Sequence, residues 1–336
     1  GRRDRVRGGL GGESPVGMMV APERRRLRFR VPVRSLALLV IVIVGGGAYA
    51  LLRGDGPAFL GALTRIPPGT WLSVAGLALI SYGLRAVRWM GMLGHLGYSL
   101  PRGAGMTVYI AGFALTLTPA KAGETIRAMY LLPWGVPVGA SVAAFVAERL
   151  MDLVAVTGLS VLAGWGGQGF TWAVPVVAAG GAAILMLVRS RLLPDVVGRI
   201  MGRAAGDALI QAVGPLHALL RLQVWMRWVG PTLLAWGAQG VAFHLVVTGL
   251  GHAGPLPGLV GLYCLAILLG ALSFMPGGLG ATEAALVILL EQHGLGVADA
   301  VAAGLVTRGL TLWLAVLLGS LATARLAVVR SQASEG

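Results

Sequence analysis

The chain carries one cysteine, Cys264, one lysine, Lys121, and charged residues at only 12% of its 336 positions. A single cysteine excludes a disulfide framework within the chain. So small a charged fraction excludes an ordinary soluble domain, in which about a quarter of residues are charged. The histidines show no metal-ligand spacing. No phosphate-cradling loop, nucleophile elbow or dinucleotide fingerprint after a strand is present. The expectation is a protein without cofactor, metal or soluble catalytic domain, and not an enzyme.

What is present is apolar length. Hydrophobic residues make up 56% of the chain, and mean hydropathy is +0.80. About 20 apolar residues span a bilayer. Uninterrupted apolar helices are readable at 35–52, 70–93, 139–163, 171–188, 229–250 and 298–324. Two further stretches, 104–132 and 257–292, are broken by Pro and Gly. The fold class expected is all-α and polytopic, with about six full transmembrane helices and two broken, re-entrant hairpins.

Net charge is +14. A basic chain can bind nucleic acid, but Arg beside membrane spans holds loops in the cytoplasm, and no nucleic-acid partner is expected. Residues 1–34 form an Arg/Gly-rich tail expected to be disordered and cytoplasmic. Its basic run, followed by Leu36–Val44 and Ala48-Tyr49-Ala50, resembles a signal peptide. In a chain that is membrane-embedded throughout, an uncleaved first helix is expected. Residues 195–221 repeat Arg199, Arg203, Asp207 and Gln211 every four positions. They read as an amphipathic helix on the membrane surface, or as an ordinary cytoplasmic loop helix. One transmembrane domain is expected over 35–325, then a short cytoplasmic tail over 326–336.

Orientation tests the hairpins. If 104–132 and 257–292 each enter and leave on one side, every basic loop is cytoplasmic. Counted as single crossings, they would export the Arg-rich loop from Arg189 to Arg227.

The broken stretches also resemble each other. The first reads Thr116-Leu-Thr-Pro119-Ala-Lys121-Ala-Gly123-Glu124. The second reads Ser273-Phe-Met-Pro276-Gly277-Gly278-Leu-Gly280-Ala-Thr-Glu283. Glu124 precedes Gly135 by 11 residues and Arg149 by 25, and Glu283 precedes Gly294 and Arg308 by the same two intervals. The repeat units, about 104–163 and 257–324, would be inverted, which is a transporter architecture. Irregular backbone in a bilayer survives only where it is buried in protein or lines a polar cavity. Pro119, Gly123, Pro276, Gly277, Gly278 and Gly280 mark the breaks. Half-helices beginning near Ala122 and Ala281 would offer backbone anion sites. The alternative is that Pro and Gly merely kink two helices.

Charges at membrane depth are costly and mark function by default. Helix 139–163 carries Glu148, Arg149 and Asp152. With Lys121, Glu124, Arg127, Glu283 and Arg308 they are candidates for binding an anionic headgroup in one shared polar pocket. The alternative is a set of structural ion pairs. Arg85 and Arg88 are secondary candidates, adequately explained by snorkelling to the interface. Gln239 and His244 read as helix-packing groups.

At Pro119–Arg127, Glu148-Arg149-Leu-Met-Asp152 and Pro276–Glu283 the chain resembles the flippase-like family. That family includes the transmembrane half of lysylphosphatidylglycerol synthases. The resemblance covers about 35–325. One departure is Ala120, where the family usually has Gly. The resemblance implies movement of a lipid or lipid-linked headgroup between leaflets of the bacterial inner membrane, with both termini cytoplasmic. The lipid would be an anionic phospholipid, a polyprenyl-phosphate-linked lipid or one of a hopanoid pathway. The chain ends at Gly336, after its last helix, so aminoacyl transferase activity is not expected. The competing reading is a non-transporting subunit that scaffolds a lipid or glycan biosynthetic enzyme. Homo-oligomers fit either reading.

Overall fold

The computed structural model describes residues 56–117, 124, 126–164, 175, 199, 203–273 and 275–335. The tail 1–34, the helices expected at 35–52 and 171–188, and Pro119, Lys121, Ala122 and Gly123 lie outside the described residues. Among the described residues every regular element is helical.

The chain opens with α1 (Gly56–Arg65) and α2 (Pro68–His95). The first broken stretch follows as α3 (Arg102–Gly112), a 3-10 turn at Phe113–Leu115, the break, and α4 (Arg127–Leu131). Next come α5 (Val138–Ser160), α6 (Arg203–Leu219) and α7 (Leu222–Gly249). The second broken stretch is α8 (Leu256–Leu272), a 3-10 turn at Pro276–Gly278, and α9 (Ala281–Gln292). The chain finishes with α10 (Val297–Arg308), a π-turn at Gly309–Trp313 and α11 (Leu314–Glu335). The expected spans at 70–93, 139–163, 229–250 and 298–324 thus appear as α2, α5, α7 and α10–α11.

Three of these segments, 68–95, 222–249 and 297–328, are long and apolar enough to cross a bilayer. α5 has the length but carries three charges in its middle. In α2, Leu72, Leu79, Ile80 and Val87 point outward, while Val74, Ala78, Tyr82, Arg85, Ala86 and Trp89 are buried. An apolar outside around a polar inside suits lipid as the surrounding solvent.

Contacts define two ends of the bundle. At one end, Arg65 and His252 both reach Asp299, and Gly249 packs on Pro67 and Thr70. At the other, Gly91 lies against the Trp228 ring and Gly139 against the Gln211 backbone. α2 and α7 therefore run antiparallel. α5 starts at the α6 end, and its last turns share a core with Ile66, Val246 and Leu250 at the α1 end. α10 starts at the α1 end, and α11 carries the chain back, with Ala315 in the core of the α6 end. The two repeat units thus run in opposite directions.

Tyr130, Leu131 and Val136 share a core with Met92 and Leu93, and Leu289, Leu290 and Leu295 share one with Ile66 and Leu250. The two broken stretches meet. Leu117 packs with Leu279, Leu312 and Val316, and a side chain on Gly277 would lie 2.9 Å from Leu117 Cδ2.

Repeat geometry matches repeat sequence. Gly135 and Gly294 both take positive φ, 73° and 85°. Three residues after each, at Val138 and Val297, the next helix starts. α6 is a packed helix of the fold: Ala212, Leu216 and Leu219 are buried in a core shared with Ala140 and Ala143, while Ile210 and Val213 are exposed.

Candidate functional site

The polar residues of α2 fall three and four apart, at Ser81, Tyr82, Arg85, Arg88 and Trp89, so they share one face of the helix. That face meets α5, where Glu148 and Asp152 also lie one turn apart. Arg88 Nη1 donates to Asp152 Oδ1 at 2.8 Å and to Thr232 Oγ1 of α7 at 2.9 Å. Its Nη2 donates to Glu148 Oε1 at 3.2 Å.

Glu148 is the hub. Arg127 Nη1 donates to its Oε2 at 3.0 Å, and the Tyr109 hydroxyl of α3 donates to its Oε1. Arg127 Nη2 also donates to Glu124, whose Oε1 accepts from the Thr116 hydroxyl at 2.8 Å. Arg149 Nη2 lies 3.1 Å from Asp152, 3.4 Å from Glu148 and 3.8 Å from Glu124. Arg127 stacks 4.4 Å from the Tyr109 ring centroid, and its stem packs on Gly112, where a Cβ would lie 2.4 Å from Nε. Three arginines thus face three carboxylates, and the cluster is neutral. Neutrality and multiple hydrogen bonds are what allow ions away from water.

The second repeat builds a smaller cluster. Arg308 Nε donates to Glu283 Oε1 at 2.8 Å, and its Nη2 donates to the Gly277 carbonyl at 2.7 Å. The pairs Glu124–Arg149 and Glu283–Arg308, each 25 residues apart, therefore both form. Gly277, Gly278 and Gly280 all take positive φ, at 62°, 68° and 79°, where a side chain would be strained.

Three sequence expectations are corrected. The candidates form two clusters, because each repeat closes its own Glu–Arg pair. The α9 N-terminus is not a vacant anion site: Glu283 Oε2 accepts the Gly280 N–H at 2.7 Å, so the chain supplies its own anion. Arg85 and Arg88 do not snorkel, being 5% and 0% exposed in the bundle interior.

Further polar groups complete the tract. Gln239 donates to Ser81 Oγ at 3.2 Å and accepts from Tyr263 at 3.1 Å, as expected of a packing group. The Tyr82 hydroxyl donates to the Thr311 carbonyl of the π-turn at 2.7 Å. Tyr109, Thr116 and Thr232 were not singled out, and an aromatic or hydroxyl residue in an apolar run gives little signal. A cavity of about 640 Å³ opens between the ends of α2 and α7, lined by Gly91, His95, Gln223, Arg227 and Trp228. It stops one helical turn from Arg88 and Thr232.

The family profile described as the lysylphosphatidylglycerol synthase transmembrane region matches residues 35–319. The chain belongs to this family. No curated protein matches it. Membership makes it a membrane protein related to lipid metabolism or transport. In this member of the lysylphosphatidylglycerol synthase transmembrane-region family, Arg88, Glu124, Arg127, Glu148 and Asp152 of the first cluster are buried and Arg149 is partly exposed.

Proposed function

We propose that the chain is a lipid flippase that moves an anionic lipid or lipid-linked headgroup between leaflets of the bacterial inner membrane. The observation that carries this reading is the contact of the two broken stretches, Leu117 against Gly277 and Leu279, beside a buried, ion-paired polar tract. α3 and α9, at about 16 and 18 Å by the usual rise per residue, are too short to cross a hydrocarbon core of about 30 Å. Their hairpins read as re-entrant, one from each side. The Arg-rich loops put the α6 end in the cytoplasm, with both termini on that side. The cavity between α2 and α7 gives a headgroup access from the cytoplasmic leaflet.

Each carboxylate of the tract is engaged by at least one arginine, which suits a polar lining. The ion pairs form a polar lining whose members exchange partners as the tips part.

The test uses the full chain in vesicles of phosphatidylcholine and phosphatidylglycerol, following headgroup exposure of a labelled phosphatidylglycerol. Wild type should accelerate exchange well beyond protein-free vesicles. Glu148→Gln and Arg308→Ala should slow it by about tenfold or more, as expected when a buried charge pair is broken. Wild-type rates in folded variants, or no acceleration at all, would refute transport.

A further inference from the structure

One span holds both broken stretches, one on each of its halves. Val297–Val328 is long and apolar enough to cross a bilayer as a single unit. Its first half, α10, holds the second broken stretch. Arg308 binds Glu283 and the Gly277 carbonyl, and a Cβ on Gly304 would lie 3.8 Å from Leu286 of α9. Its second half, α11, holds the first broken stretch. A Cβ on Gly319 would lie 2.3 Å from the Ala114 backbone nitrogen, and the Thr323 hydroxyl donates to the Ala111 carbonyl at 3.4 Å.

The π-turn at Gly309–Trp313 is the joint between these halves. Leu312 of the turn and Val316 just beyond it pack with Leu117 and Leu279, where the two stretches touch. A π-turn interrupts the regular α-helical ladder and is one of the few places where a helix bends sharply. Gly309 opens the turn, and nothing lies within 4 Å of the place a Cβ would occupy, so the backbone there has room to rotate. One side chain of α2 fastens the joint. Tyr82 is 3% exposed, and its hydroxyl donates to the Thr311 carbonyl at 2.7 Å and reaches the Leu310 carbonyl at 3.5 Å. Its ring meets that of Phe113, in the 3-10 turn of the first broken stretch, edge-on at 5.2 Å. Tyr82 therefore touches the joint and the first broken stretch at once.

We propose that the π-turn is the hinge on which the two broken stretches part, and that Tyr82 is the latch that holds it closed. The proposal rests on the transport reading and names its moving part. A bend at Gly309–Trp313 swings α10, with Glu283 and Gly277 attached, away from α11, with Ala111 and Ala114 attached. Leu117 then separates from Leu279. The Arg308–Glu283 pair travels as one body, because both residues belong to the same arm. The bond lost at the joint is that of the Tyr82 hydroxyl. A hinge of this kind needs a few residues that absorb a backbone rotation, and a contact weak enough to break and reform. One neutral hydrogen bond meets the second need.

The test is labelling of the full chain with N-ethylmaleimide in vesicles of phosphatidylcholine and phosphatidylglycerol. In a Cys264→Ala background, Leu117→Cys places a thiol at a position 6% exposed, so it reacts when the stretches part. Tyr82→Phe keeps the ring and removes the hydroxyl. It should speed labelling about three- to tenfold, the range for one hydrogen bond. Gly309→Ala has room for its methyl group and favours the helical backbone of the closed turn. It should slow labelling about fivefold. Cys264, fully buried in α8, is the control. In a chain with Cys264 as its one thiol, Tyr82→Phe should leave labelling unchanged. Equal acceleration at Cys264 would mean general loosening and overturns the latch. Unchanged labelling at position 117 in either variant, or acceleration in both, overturns the hinge. Labelling that follows the two variants in a chain that moves no lipid sinks transport alone. Lipid movement with labelling indifferent to Tyr82 and Gly309 sinks this proposal alone.

Discussion

Arg85 and Arg88 lie one turn apart on one helix face and stand in opposite electrostatic situations. Arg88 spreads its guanidinium over Asp152, Glu148 and Thr232. Neutralising it leaves two buried carboxylates short of a cation, so Arg88→Gln should destabilise the protein by about 3–5 kcal/mol. Arg85→Gln removes a charge with no salt-bridge partner among the described residues, so it should be nearly neutral. Thermal unfolding of both variants in detergent checks the contrast, and equal losses would refute the pairing described. Arg308→Lys is a finer probe. One ammonium cannot reproduce the guanidinium bonds to both Glu283 and the Gly277 carbonyl. A loss of about 1–3 kcal/mol is expected in the same assay, the cost of a hydrogen bond to a charged group. The carboxylates, Arg127, Arg149 and Arg308 stood out because charge in an apolar run is costly, whereas Arg88 near a helix end reads as snorkelling. The partners were not legible, since Arg88 meets Asp152 across 64 positions and Thr232 across 144. Only tertiary structure sets those pairings.

The breaks depend on backbone approaches that admit no side chain. On Gly270 of α8 a Cβ would lie 1.8 Å from Thr282 Oγ1, and on Gly261 it would lie 2.0 Å from the Ala163 backbone nitrogen. Gly261→Ala therefore forces α8 away from the end of α5, because backbone cannot yield as a side-chain tip can. Gly270→Ala pushes the two arms of the second hairpin apart. Each should lower stability by about 1–3 kcal/mol, the usual cost of overpacking. Gly76 of α2 meets nothing within 4 Å. There the same change should stabilise by up to about 1 kcal/mol through helix propensity alone. Denaturant titration of the three variants separates packing from propensity, and a stabilised Gly261→Ala would contradict the contact. At this scale much could be read in advance: helix positions from apolar length, and the second break from Pro and Gly. What escaped was the capping of α9 by Glu283. A helix N-terminus looks vacant in sequence until the rotamer of its own acidic residue is known.

Direction through the membrane is a property of the whole molecule. The α1 end gathers Arg65, His252 and Asp299 from three separate segments, and the α6 end gathers the turn after α2, the start of α5 and α6. If the hairpins are re-entrant, the residues flanking one hairpin emerge on the same side. Ala253 precedes α8 and Gln292 ends α9, and both are exposed. Ser99 precedes α3 and Pro133 follows α4, and both are exposed as well. Cys264 is fully buried, so replacing it with alanine leaves a background free of thiols. In that background, Ala253→Cys and Gln292→Cys should react with a membrane-impermeant maleimide in intact cells. Ser99→Cys and Pro133→Cys should react only after the membrane is opened, because the Arg-rich loops hold their end inside. A single crossing by either broken stretch would split its pair, one thiol reacting from each side. That outcome would remove the inverted hairpins, and with them the symmetry on which alternating access from the two leaflets depends.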